Sequence, residues 1–367
     1  MGLSVREVAP LAPSSSRFVR ACRGQPVDAV PVWFMRQAGR YQPEYRAIRR
    51  THSLLDIVAD PSLCAEVTAL PVRQLGVDAA ILFSDIMVPL GPVGIEYTLE
   101  EHVGPVVARP VRTAADVRAI GRLAPARDLP HVLETVRRVV ELLPDTPLIG
   151  FAGAPFTLAS YLVDGRPSKN HVASKTLMRA EPALFAELLS RLGDIVIAHL
   201  RAQVEAGAGA VQLFDSWVGS ITPDEYREHV APVNRSILAA LADLGVPRIV
   251  FGVETGELLA DMAALGADVV GVDWRVPLTV ASGRVGAGVA LQGNLDPTAL
   301  LAPWPAVERA ATAIVAQGVR HPGGFVFNLG HGVLPETPAD QLRRLVDLVH
   351  DQPVVLPCTP SPSERRS

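Results

Sequence analysis

Residues 148–153 read LIGFAG, a short apolar run that continues into Ala154, Pro155 and Phe156. A run of this length and composition is typical of a strand in a parallel sheet. Similar runs recur along the middle of the chain, and they alternate with longer amphipathic stretches such as 223–244 and 338–349. This alternation indicates βαβ units and therefore an α/β fold with a parallel sheet.

Eight apolar runs are the candidate strands of this sheet. They cover residues 32–35, 79–84, 148–153, 210–214, 248–253, 269–272, 289–292 and 325–328. Eight strands with intervening helices predict a single (β/α)8 TIM-type barrel. A doubly wound open sheet is the alternative, but no G-x-G-x-x-G pattern follows the first run. Gly104 and Pro105 lie between extended runs near 97–111 and predict a small hairpin inserted after the second strand.

The composition excludes several classes of protein. Apolar residues make up 49% and charged residues 20% of the 367 residues, which excludes disorder, collagen and coiled coil as descriptions of the whole chain. No stretch approaches the roughly 20 consecutive apolar residues of a membrane helix, so we expect no membrane span. The net charge of −4 argues against a nucleic-acid partner.

The ends of the chain and its cysteines indicate the domain organisation and the location. We expect a flexible leader over 1–15, one catalytic barrel over 16–352 and a flexible tail over 353–367, because both ends are rich in Pro and Ser. The N-terminus lacks the basic and apolar segments of a secretory signal. Cys22, Cys64 and Cys358 lie far apart in no metal-like spacing, which favours a reducing, cytoplasmic location.

Polar residues and glycines follow most of the apolar runs. The active site of a barrel forms at the carboxyl ends of its strands, so these residues are the candidates for function. They are Arg36 with Gln37, Gly39, Arg40 and Tyr41, then Asp85, Tyr161, Asp215 with Ser216, Asp273, Gly293 with Asn294, and His331 between Gly330 and Gly332.

Three of these positions have a functional and a structural interpretation. Arg36 and Arg40 either form surface ion pairs or clamp carboxylates or phosphates over the barrel mouth. Asp85 either caps the next helix or is a carboxylate in an apolar run whose burial requires several donors or a cation. The glycines beside His331 permit close approach by a ligand, and those around the last two runs could form a phosphate site.

A metal site is disfavoured by the pattern. A zinc site that activates a thiol requires a histidine and two cysteines at strand ends, and the sequence has no such set. A Mg²⁺ site built from Asp85, Asp215 and Asp273 stays open as the less favoured interpretation. The sequence also leaves open whether Asp215 and Asp273 contact a ligand or cap helices.

Several segments together resemble the signatures of the uroporphyrinogen decarboxylase family. The stretch 31–41 reads PVWFMRQAGRY, and 150–158 reads GFAGAPFTL with Tyr161 shortly beyond it. The segments FSDI at 83–86, FDSW at 214–217 and NLGHG at 328–332 follow the family order, and the resemblance spans about residues 15–350.

The resemblance implies a (β/α)8 barrel, a homodimer, and conversion of uroporphyrinogen III to coproporphyrinogen III without a metal or an organic cofactor. It implies catalytic roles for Asp85 and Arg36. The residues that it implies for substrate binding are Arg36, Gln37, Ala38, Gly39, Arg40, Asp85, Tyr161, Ser216 and His331.

The chemistry of such a substrate fits these residue types. Asp85 can accept the inward-pointing pyrrole N–H groups, and the arginines can bind the peripheral carboxylates. Protonation of a pyrrole carbon provides the electron sink that cofactors supply elsewhere, and a carboxylate beneath the ring stabilises the resulting cation. Arg36 is the candidate proton donor, although a guanidinium group is ordinarily a poor acid. A zinc-dependent methyltransferase and a tetrapyrrole carrier without turnover are the competing functions.

Overall fold

The computed structural model describes residues 15–100 and 103–353. Its strands are β1 (Ala80–Ile81), β2 (Tyr97–Glu100), β3 (Gly104–Val107), β4 (Leu148–Gly153), β5 (Ala210–Asp215), β6 (Arg248–Gly252), β7 (Val269–Gly271), β8 (Ala290–Leu295) and β9 (Phe325–Leu329). Strands β1 and β4 to β9 pair in that order, all in parallel, as one seven-stranded sheet. Every residue of β4, β8 and β9 is buried. This explains why the apolar residues of these runs do not alternate with exposed polar ones, and the polar residues Gln292, Asn294 and Asn328 are buried as well.

The segment 31–33 connects the two edges of this sheet. Val32 forms a parallel bridge with Phe327 of β9, where the Phe327 N–H donates to the Pro31 carbonyl at 2.8 Å. On the opposite side, the N–H of Asp78, two residues before β1, donates to the Val32 carbonyl at 2.8 Å. The sheet therefore curls until its first and last strands flank the same segment. This confirms the predicted α/β class and the curled parallel sheet.

The prediction of a strand over 32–35 was wrong, because only Val32 forms a bridge. Side chains take up the backbone groups that a strand would pair. The Phe34 N–H donates to Oε1 of Gln37 at 3.1 Å, and the Met35 N–H donates to Oδ1 of Asn328 at 3.3 Å. Local side-chain bonds of this kind compete with the ladder of a sheet.

The strand predicted over 79–84 is shorter than expected and comprises only Ala80–Ile81. The Leu82 N–H still donates to the Ile149 carbonyl at 3.0 Å. The next free N–H, that of Phe83, donates to the hydroxyl of Thr68 at 3.0 Å instead of to a strand. The Thr68 side chain of the preceding helix thus ends the strand, and the residues that follow, including Asp85, lie outside the sheet.

Strands β2 and β3 form a separate antiparallel pair, with Tyr97 opposite Val107 and Glu100 opposite Gly104. The pair lies against the C-terminal end of the helix that follows β4, since the Val107 N–H donates to the Gly165 carbonyl at 2.8 Å. Residues 101–102, between the two strands, lie outside the described residues.

Helices surround the sheet. They are α1 (Arg17–Cys22), α2 (Pro43–Arg49), α3 (Leu54–Ala59), α4 (Pro61–Leu75), α5 (Ala114–Ala119), α6 (Pro125–Asp128), α7 (Pro130–Leu142), α8 (Pro155–Asp164), α9 (Val172–Ala180), α10 (Pro182–Glu205), α11 (Pro223–Glu225), α12 (Ala231–Ala240), α13 (Leu259–Ala263), α14 (Leu278–Val285), α15 (Trp304–Gly318) and α16 (Ala339–His350). A π-helical turn, Tyr226–Val230, joins α11 to α12. None of the described helices combines the length and the apolar character needed to span a bilayer.

The boundaries of the elements follow from local chemistry. Helix α4 begins where Oδ1 of Asp60 accepts the N–H groups of Ser62 and Leu63, and it ends at Gly76, which has φ 72°. The predicted leader and tail lie outside the described residues apart from Ser15 and Pro353, so both stay predictions.

Candidate active site

The loop after segment 31–33 is held by its own glutamines. Gln37 is fully buried, and its side-chain amide donates to the Ala79 carbonyl at 3.1 Å. The Tyr41 hydroxyl donates to the Gln37 carbonyl at 2.8 Å. Oε1 of Gln42 accepts the Gly39 N–H at 3.1 Å. The buried amides therefore support the loop, whereas Ala38 and Gly39 are only partly buried.

Arg36 and Arg40 are exposed on this loop. Arg36 has φ 59°, in the left-handed region that residues with side chains rarely adopt. Across residues 15–100 and 103–353, neither guanidinium group forms a salt bridge, in contrast to the ion-pair interpretation of these residues. Both positive charges are therefore available to an anionic ligand.

Asp85 follows β1 and is partly buried. Its Oδ1 accepts the Met87 N–H at 2.8 Å, which is the only donor to this carboxylate within the described part of the chain. Burial raises the pKa of Asp85, while the Met87 N–H and the charge of Arg36 lower it. Asp85 thus caps a turn through one carboxylate oxygen, and the structure describes no protein donor to the other oxygen.

The negative charge of Asp85 affects the pKa of two tyrosines. Tyr161 projects from α8, and Tyr97 comes from β2. Burial raises the pKa of both phenols, and the negative charge of Asp85 raises it further. Both hydroxyls therefore stay neutral and can donate a hydrogen bond. Tyr97 was missed in the sequence because nothing local distinguishes a site tyrosine from a hairpin tyrosine.

Asp215 is buried, and protein groups donate hydrogen bonds to both of its oxygens. The Thr157 hydroxyl donates to its Oδ1 at 2.8 Å, and the side-chain amide of Asn234 donates to its Oδ2 at 3.1 Å. Burial raises the pKa of Asp215 to about 6. With both oxygens engaged, Asp215 joins α8 to α12. Ser216 follows it at the end of β5 and is partly exposed.

Asp273 is likewise structural. Its Oδ1 accepts the Arg275 N–H at 2.9 Å, and its Oδ2 accepts the Glu254 N–H and the Arg275 guanidinium group. It therefore connects the loops after β6 and β7. Among residues 15–100 and 103–353, no three His, Cys, Asp or Glu side chains lie close enough to hold a metal ion.

His331 lies beside Arg36 because the flanking glycines permit close packing. A Cβ on Gly332 would lie 2.5 Å from Cδ of Arg36, and one on Gly330 would lie 2.3 Å from the backbone nitrogen of Trp274. The space predicted for a ligand is thus occupied by protein at both glycines. Burial and the charges of Arg36 and Arg275 lower the pKa of His331 to about 4, so its imidazole is neutral at pH 7.

Gly293, one of the glycines predicted for a phosphate site, lies within β8, and protein atoms occupy the space beside it. A Cβ on Gly293 would lie 2.7 Å from the Val272 carbonyl oxygen. The amide of Asn294 donates to the carbonyls of Asp273 and Val276 at 2.8 and 2.7 Å. These residues therefore pack β8 against the loop after β7.

The fold brings together Arg36, Asp85, Tyr161 and His331, and it adds Tyr97. Arg36 acts electrostatically on Asp85, Tyr161 and His331, and Asp85 acts on both tyrosines. Arg40 lies farther out, where its charge lowers the pKa of Tyr45. The result is one partly buried carboxylate with the exposed positive charge of Arg36 nearby, which suits a ligand with both N–H donors and carboxylates.

Sequence comparison identifies relatives over almost the whole chain. A family model described as uroporphyrinogen decarboxylase matches residues 13–352. The chain is 55% identical over 342 residues to uroporphyrinogen decarboxylase of Salinispora tropica, covering 93% of this chain and 92% of the relative. It is 48% identical over 334 residues to that of Geobacillus kaustophilus, covering 91% and 96%.

Solved structures share the fold at low sequence identity. A methyltransferase from Methanosarcina mazei superposes with a TM-score of 0.72 and 22% identity, covering 91% of this chain and 97% of that one. A B12-independent methionine synthase from Shewanella superposes with a TM-score of 0.54 and 10% identity, covering 82% and 90%. At these identities the likeness concerns the fold alone.

Proposed function

Since the chain belongs to the uroporphyrinogen decarboxylase family, we propose that it converts uroporphyrinogen III to coproporphyrinogen III, with release of CO2 from the acetate side chains. The chain is thus a carboxy-lyase of a family without a cofactor requirement. The observation that carries the proposal is Asp85, a partly buried carboxyl group with one donor among the described residues, near the guanidinium group of Arg36, which forms no salt bridge there.

The substrate completes the hydrogen bonding of this carboxylate. Its pyrrole N–H groups converge on Asp85, which has a single donor from the described protein, Met87 N–H. Arg36 and Arg40 bind carboxylates at the periphery of the macrocycle, since exposed guanidinium groups recognise carboxylates through paired N–H groups. Gly39 and Ala38 bring the backbone of the loop against the substrate, while Gln37 fixes its course. Tyr161, Ser216 and His331 contact the remaining polar groups.

Decarboxylation proceeds through a cationic pyrrole. A proton adds to the pyrrole α-carbon next to the ring carbon that bears the acetate. The resulting ring cation then accepts the electron pair of the breaking bond between the methylene carbon and CO2, which forms an exocyclic double bond to the methylene carbon. Protonation of the methylene carbon gives a methyl group, and loss of the first proton from the ring restores the pyrrole. The negative charge of Asp85 stabilises the cationic state, which is electrostatic preorganisation.

Arg36 is our candidate for the group that supplies the proton. Its guanidinium group acts on both Asp85 and Tyr161, so it lies beside the proposed reaction centre. His331 is disfavoured as the proton donor, because its lowered pKa keeps the imidazole neutral at pH 7.

Further features of the family are proposed for this chain. Segment 31–33 acts as the eighth position of a closed (β/α)8 barrel, supported by its bonds to both sheet edges. The β2–β3 pair is a hairpin inserted into that barrel, supported by its separate antiparallel pairing. We also propose a homodimer and a cytoplasmic location, in line with the sequence expectations.

The test is incubation of the purified chain with uroporphyrinogen III under reducing, anaerobic conditions, followed by chromatography of the products. We expect coproporphyrinogen III to form at the same rate with and without a metal chelator. Binding of uroporphyrinogen without product would indicate a carrier. Turnover that a chelator abolishes would indicate metal-dependent chemistry and refute the proposal.

A further inference from the structure

Trp217 contacts two other rings. Its centroid is 4.0 Å from that of Tyr161, with the planes tilted by 36°, and the centroid of His171 is 4.6 Å from a Trp217 ring, with the planes tilted by 39°. The rings belong to α8, to the loop after β5 and to the residue before α9. We call Tyr161, Trp217 and His171 the aromatic stack.

The backbone of Trp217 is attached to the helix that carries Tyr161. The Trp217 N–H donates to the hydroxyl of Thr157 at 3.3 Å. Thr157 and Tyr161 are four residues apart on α8, so their side chains lie on the same face of the helix. The Thr157 hydroxyl in turn donates to buried Asp215 at 2.8 Å. Helix α8 thus fixes the backbone of Trp217 with one residue and contacts its ring with another.

Hydrogen bonds hold the backbone of His171 in place. It has φ 48°, a left-handed conformation, and its N–H donates to the Ser168 hydroxyl at 3.0 Å. Its carbonyl accepts the Lys175 N–H at 2.9 Å, at the start of α9. The ammonium group of Lys175 donates to the Ser220 carbonyl at 2.9 Å, three residues beyond Trp217. Helix α9 is therefore tied directly to the loop that carries Trp217.

Asp164 gives the stack its outer support. Its Oδ1 accepts the Ala173 N–H at 3.1 Å, and its Oδ2 accepts the Ser174 hydroxyl at 2.6 Å. Nδ1 of His171 lies 4.0 Å from the same Oδ2 and is buried without a hydrogen bond among the described residues. The imidazole is therefore held by packing and by its backbone, and its position depends on the ring of Trp217.

The Tyr161 hydroxyl is the part of the aromatic stack that is nearest to the charged groups of the candidate site. The negative charge of Asp85 and the positive charge of Arg36 both act on it. We infer that Trp217 and His171 are positioning residues for decarboxylation, which hold the Tyr161 ring so that its hydroxyl stays near Asp85 and Arg36. The inference rests on the proposed function, because it assigns the stack a part in that reaction.

A double-mutant cycle tests the inference. Trp217→Leu removes the ring that contacts Tyr161, and we expect kcat/KM to fall at least about 10-fold, mainly through kcat, since a misplacement near 1 Å costs up to roughly 10²-fold. In the Tyr161→Phe background, which lacks the hydroxyl to be positioned, the same substitution should cost less than about 3-fold. Single-turnover measurements at high enzyme concentration keep the slow variants measurable.

Conservative variants and a matched control separate positioning from general stability. Trp217→Phe and His171→Phe keep an aromatic ring in the stack, and we expect kcat/KM within about 3-fold of the unmodified chain. Trp304→Leu makes the same chemical change under the guanidinium group of Arg344, which lies 4.0 Å from the Trp304 ring, between α15 and α16. This control should leave kcat/KM unchanged.

Two results would overturn the inference: an equal fold-loss from Trp217→Leu in both backgrounds, or no loss in the unmodified background. If Trp217→Leu does not fold, as judged by urea unfolding, the cycle is run with His171→Ala and the same criteria apply. If no form of the chain produces coproporphyrinogen, the proposed function fails. Product from the unmodified chain together with an additive loss refutes the positioning role alone.

Discussion

Replacement of Asp85 by Asn separates the cost of this carboxylate to folding from its value in catalysis. The two side chains have the same shape, and Oδ1 of the Asn can still accept the Met87 N–H that now donates at 2.8 Å. The substitution removes the negative charge and turns the second oxygen into an NH2 group, which donates where the carboxylate accepted. We therefore expect Asp85→Asn to fold normally and to lose most of its activity.

The size of the catalytic loss follows from the proposed role. A fixed charge or donor that stabilises developing charge in an enclosed site contributes about 3–4 kcal/mol, which corresponds to roughly 10²–10³-fold in kcat. Among the described residues, the only charged group that shifts the pKa of Asp85 is the guanidinium group of Arg36. Asp85 is therefore the source of negative charge at the proposed reaction centre. We expect the loss in kcat to be of that order.

The stability should change in the opposite direction. Burial raises the pKa of Asp85 above its ordinary value of 3.8, so the ionised form costs the folded state free energy. An acid whose pKa is raised on folding contributes to the free energy of unfolding. For Asp85 this contribution is fully present below pH 3.8 and is lost as pH rises through the pKa of the folded state. Asp85→Asn should therefore match the unmodified chain in acid and be at least as stable at pH 7.

The assays are product chromatography for kcat and KM, and urea unfolding at pH 7 for the free energy of unfolding. Asp215→Asn is the matched control, because its new NH2 group would face the donating amide of Asn234. The present hydrogen bond is then lost unless the Asn234 amide rotates, at a cost of about 1–3 kcal/mol. That variant should lose stability more than kcat. The reasoning is refuted if Asp85→Asn retains kcat within 10-fold (about 1.4 kcal/mol) or is clearly less stable at pH 7.

Three further outcomes are expected. Arg36→Lys should keep KM within about 3-fold and slow kcat at least about 10-fold if the guanidinium group supplies the proton; a rise in KM alone would make it a clamp. The imidazole of His331, whose pKa is about 4, should stay neutral from pH 6 to 8 in nitrogen NMR spectra, and a titration near 6.5 would contradict its burial. Gly332→Ala should lower kcat/KM at least about 10-fold by displacing Arg36, because the new Cβ would lie 2.5 Å from Cδ of Arg36; Gly283→Ala, which meets nothing within 4 Å, should leave kcat/KM unaltered.

The apolar runs of β4 to β9 were predictable from the sequence. Strands that are buried on both faces of a sheet are mostly apolar without alternation, and β4 shows this pattern throughout, whereas β8 and β9 also bury Gln292, Asn294 and Asn328. The polar residues after those runs were also identifiable, since the carboxyl ends of parallel strands meet at one edge. Arg36, Asp85, Tyr161 and His331 were found in this way, and their mutual electrostatic effects agree with it.

Other features depended on contacts between distant parts of the chain. Met35 bonds to Asn328 and Phe83 to Thr68, and these side-chain bonds decided where the first strands end. Tyr97 and His171 enter the surroundings of Tyr161 only because a hairpin and a loop fold against α8. Asp215 was indistinguishable from a ligand-binding acid until Thr157 and Asn234 were seen to hold it.

The amino-acid sequence by itself determined the class of fold, the order of its strands and most of the side chains at their carboxyl ends. Burial periodicity is a local property, and it can be seen in a few consecutive residues. The tertiary structure alone decided which polar groups satisfy one another, because a hydrogen bond or a ring contact depends on the spatial distance between residues that are far apart in the chain. Only that pairing leaves Asp85 with a single protein donor in the described structure.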